Sequence, residues 1–151
     1  AHLKGLLARM QGLLTNDLNA IPIEKQSLSP GGAGRTPLNI VAECAMVNQR
    51  SAIYLKTRVE PERRAPEERE AYLNSFDTAE KVLAYLDSSC AELVEAIDGF
   101  DDNEWGDVTN FPFGRPMTFF GVAELPSIHQ FYHDGQLNYI QTLYEDREIH
   151  W

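Results

Sequence analysis

The segment Ile128-His129-Gln130-Phe131-Tyr132-His133-Asp134-Gly135-Gln136-Leu137 decides how the rest of the chain is read. Two histidines four residues apart on a helix share one face, about one turn from each other. Their ring nitrogens can then converge on a single metal ion. With His129 at zero and about 100° per residue, Val122 and Ile140 fall at about 20°, and Leu125 and Leu143 at about 320°. On the same projection His133 falls at about 40° and Gln136 at about 340°. The pattern predicts that both histidines and Gln136 sit inside an apolar stripe facing a core, with Gln130, Asp134, Gln141 and Glu145 in solvent. Buried imidazoles need partners, because an unsatisfied polar group in an apolar interior is costly. A shared metal ion satisfies both rings. Hydrogen bonds to a carbonyl or a tyrosine do so too.

Working outward, this helix runs from about Thr118 to Tyr144, with Pro126 marking a kink or a false start. Leucines and Met10 at helical spacing from Leu3 to Leu18 predict a first helix that ends at Ile21-Pro22. Glu24 to Arg35, with Pro30-Gly31-Gly32-Ala33-Gly34, reads as a loop. Thr36 as N-cap and Pro37 at the first position start a second helix, which continues to about Lys56. A charged, proline-bounded connector covers Val59 to Pro66. A third helix is capped by Asp77 or Thr78 and ends at Gly99. Asp101 to Pro116 is irregular, and no strand pattern or internal repeat appears. The expectation is an all-α four-helix bundle with long connectors, a single domain over residues 1–151, with at least one crossover connection.

Composition limits the function classes. The chain has 151 residues, 43% hydrophobic and 24% charged, which is an ordinary globular balance and excludes a disordered or low-complexity chain. Thirteen basic against 23 acidic side chains give a formal charge of −10. A surface that acidic disfavours nucleic acid and anionic membrane as partners. Cys44 and Cys90 lie in apolar runs and form no disulfide framework. No stretch approaches a membrane helix or a signal peptide, so a cytoplasmic protein is expected.

A third ligand is sought on the second helix. Its wheel is apolar almost all round, leaving a narrow polar strip of Asn39, Glu43 and Arg50. Periodicity leaves two readings of Glu43, a solvated carboxylate or a group facing a polar site within the bundle, and the wheel alone favours the first. Cys44 is about 100° from Glu43 and is set aside as a ligand. Tyr132 and Tyr139 project near the histidines as hydrogen-bond donors to the ligands. Asp134 projects away from them, and Arg115 reads as a surface residue. Trp105, Phe111, Phe113, Phe119 and Phe120 read as core. The apolar coverage of the second helix also suggests a homodimer.

The segment Thr36-Pro37-Leu38-Asn39-Ile40-Val41-Ala42-Glu43-Cys44 and the motif His-x-x-x-His-x-Gly-Gln together resemble the DinB-like (YfiT-like) superfamily of four-helix bundles. The resemblance spans nearly the whole chain in helix order. It implies one divalent metal ion (zinc or nickel, with iron or manganese as alternatives) held by one residue of the second helix and two of the fourth. His129 and His133 match the second and third ligand positions, and Gln136 belongs to the pair that follows them. Where the family has its first histidine, this chain has Glu43. A carboxylate there gives a two-histidine, one-carboxylate set with open positions, of net charge −1 before the ion arrives. The function implied is a metal-dependent hydrolase or a thiol-dependent transferase, the metal acting as a Lewis acid on a small-molecule substrate or partner thiol. The alternative is a non-catalytic stress-response or small-molecule-binding bundle whose metal site is structural or degenerate.

Overall fold

The computed structural model describes residues 1–150. Its four long helices are α1 (His2–Ala20), α3 (Pro37–Thr57), α5 (Ala79–Asp98) and α6 (Phe119–Leu143). Two short helices, α2 (Ile23–Gln26) and α4 (Pro66–Asn74), and a two-residue antiparallel ribbon of β1 (Val108–Thr109) with β2 (Met117–Thr118) occupy the connectors. The caps fall where the residue types put them. Thr36 accepts a hydrogen bond from the Asn39 amide, Thr78 from Lys81 and Thr118 from Gly121, each satisfying one orphan donor of a first turn. Helix α6 continues through Pro126 without ending, so that proline is neither a start nor a stop.

Helix α1 packs against α5 and α6, and α3 packs against the same two. Consecutive long helices α1 and α3 therefore stand diagonally opposite, as do α5 and α6. Both connections cross the bundle, which explains why they are long. One apolar core joins the four helices, with Leu7, Leu14 and Leu18 of α1, Val41 and Ala45 of α3, Leu86 and Leu93 of α5, and Val122 and Leu137 of α6. Helix α3 is apolar almost all round because it touches α2 and α4 as well as α5 and α6. Its breadth of apolar surface is thus covered largely within the chain.

The buried face of α6 differs from the expected one. Gln130, Asp134 and Gln141, read as solvent-facing, are all buried, while Leu143 is exposed. The true inward face centres about 100° around the helix from His129, so the histidines lie on its flank. Polar partners make this burial tolerable. Gln130 Nε2 donates to Asn48 Oδ1 (2.9 Å), and Asn48 Nδ2 donates to Ser89 Oγ (3.1 Å) and lies 3.2 Å from Cys90 Sγ. Asp134 meets Asp17 of α1, whose Oδ2 accepts from Asn138 Nδ2 (2.5 Å). The flank position matters for function: it brings the histidines to the edge of the core, beside α3, where a ligand can reach them.

Candidate metal centre

Helix α6 supplies His129 and His133, and α3 supplies Glu43 and Cys44. His133 is buried and His129 half-buried. Their Nε2 atoms are 3.2 Å apart, and His133 Nε2 lies 3.2 Å from Glu43 Oε2. The other nitrogen of His133, Nδ1, is 2.7 Å from Gln136 Oε1. Arg35 Nη2 also lies 3.5 Å from that Nδ1. His133 Nε2 thus stands between a carboxylate oxygen and a second imidazole, where a ring proton or a metal ion can bridge to Glu43. Two nitrogens bound at 2.0–2.1 Å to a tetrahedral ion lie about 3.4 Å apart, close to the observed spacing.

Glu43 is not a solvated carboxylate. Its side chain is 14% exposed and turned into the bundle. Burial alone would raise its pKa, but the contact with His133, the hydrogen bond from Arg35 and the charges of Arg35 and Arg69 outweigh it and hold the carboxyl down at about 2. Arg35 Nη1 donates to Oε2 and Arg69 Nη2 to Oε1, so both oxygens are already engaged. The charge of −1 expected from Glu43 and two neutral histidines is therefore incomplete, since two guanidiniums stand beside it. An arriving ion competes with them for the carboxylate.

Cys44 stands at a wide angle from Glu43 on the helix, yet its Sγ joins the histidines, against the expectation that it lies outside the site. One sulfur and one nitrogen from each ring all lie within 4.8 Å of one another. The site sits between the directions of positions 43 and 44, so both neighbours reach toward it. Burial raises the Cys44 thiol well above its ordinary value, and the adjacent Glu43 charge acts in the same direction. Burial pushes His129 down to about 4, helped by His133 and opposed by Glu43, so its ring is neutral near pH 7. His129 Nδ1 is buried without a hydrogen-bond partner. The buried group that could hold a divalent ion is thus Cys44 with His129 and His133, and Glu43 approaches it at His133.

Two arginines escaped the sequence reading. Arg35 follows a tight loop in which Ser29 Oγ donates to the Gly34 carbonyl (2.7 Å) and the Gly34 amide bonds to Gly31 O (2.9 Å). A Cβ at Gly34 would come within 2.8 Å of the Pro30 ring and 2.9 Å of Gly31 O, so only glycine delivers Arg35 this way. Arg69 comes from α4, which starts with Pro66 at its first turn and Glu68 bonding back to the Ala65 amide. Pro66 at a helix start was the available signal for α4. Of the remaining candidates, Tyr132 is exposed with its ring edge on His133 (centroids 5.1 Å apart), while Tyr139 is exposed and Arg115 lies on the surface. Phe111 and Phe119 are core, but Phe113 and Phe120 are exposed.

A helical bundle with a buried two-histidine centre between its second and fourth long helices is the class that fold and site define. The family model of the DinB superfamily matches residues 1–137, and the chain belongs to that superfamily. Among solved structures it is similar to a histidine-to-alanine mutant of mycothiol-dependent maleylpyruvate isomerase, with a TM-score of 0.70 at 15% identity. The match covers 90% of this chain and 59% of the isomerase, so it speaks to the bundle alone. No curated protein matches the sequence. No helix among the described residues is long and apolar enough to cross a membrane.

Proposed function

We propose that the chain binds one divalent metal ion through His129, His133 and Glu43 and uses it in thiol-dependent transfer or isomerisation, or in hydrolysis, of a small molecule. The observation that carries this reading is His133 Nε2 standing 3.2 Å from both Glu43 Oε2 and His129 Nε2. Bound there, the ion would supply Lewis acidity, lowering the pKa of a water or thiol. The chain's own residues have distinct tasks. Gln136 orients the His133 ring through Nδ1 and so presents Nε2 to the site. Low proton affinity keeps His129 in its ligand form at neutral pH. Met46, Val47 and Leu125 line the approach and restrict water. The sulfur chemistry is taken from the similar isomerase, whose name specifies a thiol cofactor.

The pairing of Arg35 and Arg69 with Glu43 favours a second reading, in which guanidiniums replace the ion at the carboxylate and the bundle binds without turnover. Zinc-loaded and metal-free protein should be compared for conjugation of small thiols to a fluorogenic electrophile, alongside His133→Ala. The proposal expects acceleration by the loaded wild type alone. Full zinc loading with no acceleration for any thiol, and no hydrolysis of ester or amide substrates, would favour the second reading.

A further inference from the structure

The His129–Glu43 edge opens into a cleft of about 350 Å³ whose lining includes Arg50, Arg63, Arg64 and Arg69. Glu43 is the only carboxylate in that lining, in a chain whose net charge is −10. Four of the chain's thirteen basic side chains thus converge on one mouth. A solvated basic connector would need no cleft, yet these four share one with His129, Leu125 and the exposed ring of Phe113.

Two of the arginines are already committed, and Arg69 is engaged through one nitrogen. Arg50 donates to the carbonyls of Pro61 (2.8 Å) and Glu62 (2.9 Å), which pins the connector over α3. Arg63 bonds to Glu60 (3.0 Å) and lies over the Phe113 ring, 4.2 Å from its centroid. Arg69 is on Glu43. Arg64 has no carboxylate partner among the described residues, and its guanidinium lies 3.9 Å from the centroid of Tyr72. Stacking on an aromatic face holds a guanidinium plane while leaving its N–H edge free for a bidentate oxyanion. Arg64 and Arg69 also border a second cleft of about 730 Å³ beneath the 29–35 loop, so the two form the wall between the openings.

We infer that this mouth receives a small organic oxyanion, a carboxylate or phosphate on an apolar body, with its charged end on Arg64 and Arg69 and its apolar end against Phe113 and Leu125. This assigns a substrate class to the reading above and rests on it for the claim that the anion is a reactant. Anion binding itself needs no metal. A charged head fixed by planar guanidiniums and a body on apolar walls would orient the molecule toward His129.

The test is calorimetric, using 4-phenylbutyrate, phenyl phosphate and the neutral 4-phenylbutanamide on EDTA-treated and zinc-loaded full chain. At least one anion should bind about tenfold or more tightly than the amide, and the tighter of the two identifies carboxylate or phosphate as the head. Arg64→Gln should abolish that preference, whereas Arg9→Gln, on the exposed side of α1, should keep it. Equal binding of anions and amide overturns the inference, as does an equal loss in Arg9→Gln. Zinc is titrated on the same samples. An absent anion preference with zinc still bound sinks this inference alone, and an intact preference without zinc binding sinks the metal reading alone.

Discussion

Replacing Asp134 by asparagine should alter the pH dependence of stability in a calculable way. Asp134 is buried on α6 against Asp17 of α1; burial first, and then the neighbouring carboxyl, raise its pKa from 3.8 to about 7. Between these two values the folded chain holds a proton that the unfolded chain has released. The unfolded state therefore binds fewer protons, and stability falls as pH rises through this window. The loss is on the order of a few kcal/mol across the window, most of it between pH 5 and pH 8.5. His129 acts oppositely: with its pKa depressed from 6.5 to about 4, it makes stability fall as pH drops through that range. Subtracting the variant's profile from that of the wild type removes the histidine contribution, which both share. The introduced amide retains an N–H to offer Asp17 and has no charge to develop. Urea denaturation of metal-free protein should then show Asp134→Asn gaining on the order of a few kcal/mol on the wild type from pH 5 to pH 8.5. Parallel profiles would refute the raised Asp134 pKa.

Further outcomes follow from other contacts. Arg69→Met should tighten zinc binding at least tenfold in competition with a chromophoric chelator. Even in bulk water a divalent ion and a guanidinium about 6 Å apart repel by about 1.4 kcal/mol. Unchanged affinity would show that Arg69 does not compete with the ion. Thr36→Ala removes the acceptor for the Asn39 amide and should cost about 1 kcal/mol by denaturant titration. No loss would show that this cap is dispensable. Burial holds the Cys44 thiol well above its ordinary range and Cys90 at about 12, so an aromatic disulfide reagent should label neither until denaturant is added. Rapid labelling of folded protein would contradict that burial.

The four long helices were legible because their starts carry explicit chemistry, Thr36-Pro37 most plainly, and their apolar residues recur at helical spacing. The inward rotation of α6 was not legible. Gln130, Asp134 and Gln141 look like a solvent face until Asn48 and Asp17, far away in sequence, are seen to meet two of them. Hydropathy periodicity registers polarity but not partnership. The histidine pair was visible from its spacing of four, but the environment of Glu43 was not. Its two arginines come from a glycine-rich loop and from a short helix that directly follows the charged connector, and neither segment carries an apolar stripe to fix its placement. Cys44 shows the limit of a helical wheel: neighbouring positions can border one site when it lies between their directions.

Metal content of protein purified without a histidine tag tests the central claim most directly, by elemental analysis of the wild type and of His129→Ala, His133→Ala, Glu43→Ala and Cys44→Ser. The account predicts near-stoichiometric zinc, nickel, iron or manganese in the wild type and in Cys44→Ser, with loss in the other three variants. Retention in Glu43→Ala with loss in Cys44→Ser would replace the carboxylate by the thiol as third ligand. A wild type that is metal-free and cannot be loaded, or histidine variants that keep their metal, would contradict the account.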